Sequence, residues 1–116
     1  MENIISQTSN GKVFICNKCD KIHIEFYHFL FSFDEEAYAF FKDNIAQVDG
    51  AYYENVNAGL NYRRKIVVPL GHRNVSMLLN QKELNELKLL LSTRCYLSAI
   101  NCFLSVKEIG MPIAAN

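Results

Sequence analysis

The sequence predicts an α+β domain: an antiparallel sheet of about six strands, in the order ββ-ββα-ββα, with two helices on one face. Three observations carry this. Short apolar runs alternate with polar residues at period two, the mark of half-buried strands. Two longer segments place apolar residues at helical spacing, each just after a capping residue. Turn-forming residues separate the runs at short intervals, as antiparallel neighbours require.

The first pair of strands is read around Asn10-Gly11. Ile4 to Ser9 precedes it and Lys12 to Cys16 follows, and Asn-Gly favours the type I′ turn, whose central residues need positive φ. Val13, Phe14 and Ile15 read as a buried strand. Cys16-Asn17-Lys18-Cys19-Asp20 makes the next turn. Ile22, Ile24 and Phe26 then point one way, with His23 and Glu25 the other. Tyr27-His28 turns the chain into a strand carrying Phe29, Phe31 and Phe33 on one side.

A helix follows. Asp34 can accept the free N–H groups of its first turn, and Glu35 and Glu36 sit well at the positive end of its dipole. Ala37, Tyr38, Phe41, Ile45 and Val48 form its apolar face, and Gly50 is read as the left-handed residue that ends it. Residues 51–61 show no period and read as a long loop. Arg63 to Leu70 is a strand with a basic start, and Pro69 belongs near an end or an edge of it. Gly71 to Asn74 turns the chain. Val75, Met77 and Leu79 form the last strand, and Asn80-x-x-Glu83 is close to a capping box for the second helix. Phe29 to Ile45 and Val75 to Leu91 read as strand, cap and helix at equal spacing, which is a weak internal repeat.

From Leu89 onward the second helix carries two apolar stripes. Leu89, Tyr96, Leu97, Ile100, Phe103 and Leu104 lie away from the stripe of Leu84, Leu91, Cys95 and Cys102. A helix apolar on both sides has to be covered on both sides, and a chain of 116 residues has little left to do it. A homodimer through residues 89–106 is the expectation.

Composition narrows function. Half of the residues are hydrophobic and 21% are charged, so the chain can build a core as a single domain over 1–116. Twelve basic residues balance twelve acidic ones, which argues against a general grip on nucleic acid or an anionic membrane. The acidic, polar start is not a secretory signal, and no apolar run is long enough to span a bilayer. Four cysteines in a chain with this much core material do not suggest a disulfide scaffold. A cytoplasmic protein with reduced thiols is expected.

Two constellations could carry chemistry. Cys16-x-x-Cys19 at a tight turn is half of a zinc ribbon, and His23 on the following strand is a possible third ligand. No second C-x-x-C completes the site, so no cofactor is expected, with zinc as the possible exception. A thiol sensor on the same pair is a further alternative, though redox pairs usually sit at a helix N-terminus. The second constellation is Tyr62, Arg63, Arg64 and Lys65, with Arg73 at the next turn. Arginine forks bind carboxylate or phosphate, so these residues point to an acidic protein partner or an anionic small ligand. No phosphate loop, nucleophile elbow or zincin motif is present, so no catalytic residue is nominated and a non-catalytic module is expected.

The chain resembles a family of short uncharacterised bacterial proteins. The matching residues are Cys16-x-x-Cys19, Ile22 to Phe26, Arg63-Arg64-Lys65-Ile66-Val67-Val68-Pro69, and Asn80 to Leu87. The resemblance supports the element order and implies no activity.

Overall fold

The computed structural model describes residues 2–16, 18 and 20–92. In chain order the elements are β1 (Glu2–Thr8), β2 (Gly11–Cys16), β3 (Ile22–Phe26), β4 (Phe29–Phe33), α1 (Glu35–Ala46), α2 (Gly50–Val56), β5 (Ile66–His72), β6 (Val75–Leu79) and α3 (Gln81–Leu91). The fold is α+β, and the meander β1-β2-β3-β4 is the one the alternation predicts. The single six-stranded sheet is not formed. β5 and β6 pair only with each other, as a separate two-stranded sheet. Pro69 removes a donor from β5, and the β5–β6 register slips between Pro69 and His72, so β5 offers no continuous edge for the larger sheet to extend.

The first hairpin corrects the turn assignment. Thr8 pairs with Gly11, so the two-residue loop is Ser9-Asn10, one position earlier than expected. Neither Asn10 nor Gly11 has positive φ. Gly11 is needed for a different reason: a Cβ there would lie 2.8 Å from Leu90 Cδ2 and 3.2 Å from the Glu25 carbonyl oxygen. A bulge between Ile4 and Ser6 then lets Ile5 enter the core while Ile4 stays outside. The Tyr27-His28 turn is as read, with Tyr27 in the left-handed region at φ 53°.

The helix after β4 stops at Gln47 rather than at Gly50, its last carbonyls bonding the Gln47 N–H. Gly50 instead opens α2, capped by Asp49, which accepts from the Tyr52 N–H. This seven-residue helix replaces the first part of the expected loop; it is too short to show a period. The basic strand start is also displaced: Arg63 and Arg64 lie in a bend, Lys65 follows it, and β5 begins at Ile66.

The strand–cap–helix repeat holds as structure. Asp34 and Asn80 share extended backbone, and each side chain accepts from the N–H three residues on, Ala37 and Glu83. At Asn80 the box is complete, with Glu83 accepting from the Asn80 N–H. α3 is the centre of the molecule. Leu84, Leu87, Leu90 and Leu91 are buried, and it packs on β1, β2, β6, α1 and α2. Together with Val13, Ile24, Phe26, Tyr38, Ile66 and Met77 they form one hydrophobic cluster that joins both sheets. Among the described residues, no helix is long and apolar enough to cross a membrane.

Candidate functional site

The turns of β1–β2 and β3–β4 lie at the same end of the large sheet, because Gly11 pairs with Phe26. The start of α3 and the β6 strand meet that end. Between them runs a groove of about 420 Å³. Phe26 and Phe29 form one wall, and Met77, Leu78 and Leu79 of β6 form the other. Tyr27, His28, Arg63, Arg64 and Glu83 complete it. Its volume is that of a small-ligand site, and its walls are mainly apolar.

The two arginines differ in what holds them. Arg64 donates from Nε to Glu83 Oε1 at 2.7 Å and from Nη2 to Glu83 Oε2 at 2.8 Å, a bidentate pair. Its hydrogen bonds hold the buried Glu83 carboxyl below the usual carboxylate range against desolvation, with help from the Asn80 N–H. Glu83 therefore caps α3 and anchors the bend before β5 with one carboxylate. Arg63 is exposed at the groove and makes no ion pair with a described residue.

A second carboxylate ties the hairpin tips to α3. Glu86 accepts from Thr8 Oγ1 at 2.6 Å, from the Asn10 N–H at 2.8 Å and from Asn10 Nδ2 at 3.0 Å. The Tyr27 hydroxyl completes the cluster, accepting from Asn10 Nδ2 and reaching Glu86 at 3.5 Å. Desolvation pushes the Glu86 carboxyl up, but these hydrogen bonds outweigh it and hold it low. Burial and the adjacent Glu86 and Glu83 charges push the Tyr27 phenol up. The left-handed backbone at Tyr27 is costly for a bulky side chain, and this network stabilises it.

A family model matches residues 1–116. The chain belongs to DUF6686, a family of unknown function. No curated protein and no solved structure matches this DUF6686 chain.

The remaining predicted residues are dispersed. Lys65 donates from Nζ to the Leu60 carbonyl, and its own carbonyl accepts from Asn57 Nδ2, so it braces the segment before β5. Tyr62 is exposed and lies outside the groove. Arg73 sits at the tip of the β5–β6 hairpin, roughly 20 Å of strand away from Arg63. The basic residues thus do not converge; Arg63 and Arg64 alone reach the groove.

Cys16 ends β2 and is partly buried, and Cys19 lies outside the described residues. His23 stacks on Phe14 with ring centroids 5.1 Å apart, and its Nδ1 lies 2.9 Å from Ser32 Oγ. Among the described residues, no group of three His, Cys, Asp or Glu side chains could hold a metal ion. Of the second stripe on the last helix, Leu89 is 65% exposed. Tyr96, Leu97, Ile100, Phe103 and Leu104 lie outside the described residues.

Sequence reasoning missed the apolar walls of the groove. Phe29 and Leu78 are read from the sequence as ordinary strand residues. Only the meeting of a turn with a strand some fifty residues later makes them a site, and no local pattern encodes that.

Proposed function

We propose that this chain is a non-catalytic binding module whose groove takes an apolar group carrying an acid, on a small ligand or on an acidic partner protein. One observation carries the reading: Arg63, without an ion pair among the described residues, stands at an apolar groove of about 420 Å³. Arg64 is neutralised by Glu83 and positions the site rather than offering charge. The apolar walls supply affinity, and the Arg63 fork selects the acid by charge-assisted hydrogen bonds.

The test is a carboxylate probe, 3-phenylpropionate, titrated into labelled protein and followed by amide and side-chain chemical shifts. Shifts should cluster at Phe29, Arg63 and Leu78. The corresponding neutral amide should bind about ten- to a hundredfold more weakly, since a hydrogen bond to a charged group contributes roughly 1.5–3 kcal/mol. Arg63→Ala should bring acid and amide to equal affinity. Equal binding of the two probes by the unaltered protein would sink the reading.

A second reading keeps the zinc knuckle. The Asp20 N–H donates to the Cys16 carbonyl and Asp20 takes φ 54°, which turns the chain from β2 toward β3. Metal content of protein purified without chelator decides it: zinc near one per chain supports the knuckle, and none rejects it. The thiol-sensor alternative has less support, because no helix begins near Cys16 among the described residues.

A further inference from the structure

We propose that β4 is the self-association edge of this protein, pairing antiparallel with β4 of a second copy to give a continuous eight-stranded sheet. The other strand edges are guarded or occupied. β1 is bulged between Ile4 and Ser6 and carries Ser6, Gln7 and Thr8. β5 contains Pro69 and a register slip. β6 flanks the groove. Bulges and prolines are the usual guards of strand edges. β4 has none of them. Its sequence is Phe-Leu-Phe-Ser-Phe, with no charge, proline or bulge.

The backbone leaves β4 ready to pair. Phe26 and Phe29 flank a two-residue turn, so Phe29, Phe31 and Phe33 direct their N–H and C=O groups to β3. Leu30 and Ser32 direct theirs outward, where they make no backbone hydrogen bond with a described residue. Leu30 is 65% exposed.

The side chains favour a second copy over another partner. A two-fold axis through Phe31 sets each residue opposite one of its own strand, which is tolerable only where the strand is uncharged. Leu30 then exchanges both hydrogen bonds with Ser32 of the other copy, and every outward group is satisfied. The phenylalanine ladder continues across the seam. Phe29, Phe31 and Phe33 already stack at 5.7 and 5.9 Å, with rings within 6° of parallel. The same register sets exposed His28 opposite exposed Asp34 at both ends, a donor facing a carboxylate. The Glu25 side chains on the two β3 strands stand three strand spacings apart, about 14 Å, beyond the screening length at physiological salt.

The experiment is sedimentation velocity of the full chain across a concentration series, paired with hydrogen exchange at the Leu30 and Ser32 amides. The expected result is a dimer in which both amides exchange slowly and become fast on dilution. Ser32→Pro removes an outward N–H and leaves the β3 ladder its donors; it should weaken the dimer at least tenfold. Ser32→Lys, which keeps the N–H and adds like charge near the seam, should weaken it too. A monomer at every concentration overturns the proposal, whether the amides are slow or fast. So does a dimer that both variants leave intact with fast Leu30 and Ser32 amides, which would place the contact elsewhere, residues 89–106 included.

Discussion

At the scale of single residues, two carboxylates on successive turns of α3 fasten separate parts of the chain. Glu83 holds Arg64 and caps the helix; Glu86 holds the hairpin tips through Thr8, Asn10 and Tyr27. Both carboxyls titrate lower in the folded chain than in the unfolded one. The folded state therefore binds fewer protons in acid. The stability these contacts contribute is present in full above the ordinary carboxylate range, about pH 4.3 for Glu, and is lost as pH falls through the folded values. Urea midpoints measured from pH 7 to pH 3 should fall steeply below about pH 5. Glu86→Gln should lower the midpoint at pH 7 and flatten the acid slope. An unchanged slope would show that Glu86 contributes nothing to the acid transition. The capping role of Glu83 is legible in Asn80-x-x-Glu83. Its pairing with Arg64 is not, because nothing in the intervening residues fixes how the bend before β5 returns to α3.

At the scale of elements, two glycines separate local from tertiary causes. Both look like turn residues in sequence, one in Asn-Gly and one in Asp-Gly. Neither has positive φ, and both are close approaches of backbone to a neighbouring side chain. Gly11→Ala would set its Cβ against Leu90, the Phe26 ring and the Glu25 carbonyl, in a fully packed core. Overpacking of this kind costs typically 1–3 kcal/mol, so about 2 kcal/mol is expected from chemical denaturation. At Gly50 the three atoms nearest an added Cβ all belong to the end of the Gln81 side chain, which can swing away. At the first position of α2 the gain in helix propensity stays below the value of about 0.5–1 kcal/mol for an interior site. Gly50→Ala should be neutral or slightly stabilising. Equal losses at the two sites would restore the turn explanation. The same distinction explains which elements were legible. Strands β2 to β4, the caps Asp34 and Asn80 and the faces of α1 and α3 are set by short-range periodicity and capping. The division into two sheets and the seven-residue α2 are set by packing, and periodicity carries no information about either.

For the whole molecule, the question is whether two unconnected sheets behave as one unit. Their strands share no hydrogen bonds, so cooperativity has to pass through side chains. α3 is the element able to transmit it. Its buried face meets β1 and β2 of the large sheet and β6 of the small one, while α1 and α2 lean on its flank. Leu87 is fully buried at the middle of that face. Leu87→Ala leaves a cavity that neither sheet can fill alone, and losses of this type run to about 2–5 kcal/mol. A domain of this size has on the order of 5–10 kcal/mol in total, so the variant should lie near the edge of folding. Far-ultraviolet circular dichroism reports backbone in all elements, whereas tyrosine fluorescence reports the surroundings of six tyrosines, none of which lies in β5 or β6. In the unaltered protein the two transitions should coincide in urea, and in Leu87→Ala both should move together to lower denaturant. Separation of the two curves would mean that the β5–β6 hairpin opens before the large sheet. The groove between them would then be a place where the molecule parts, and a ligand bound across it should bring the curves back together.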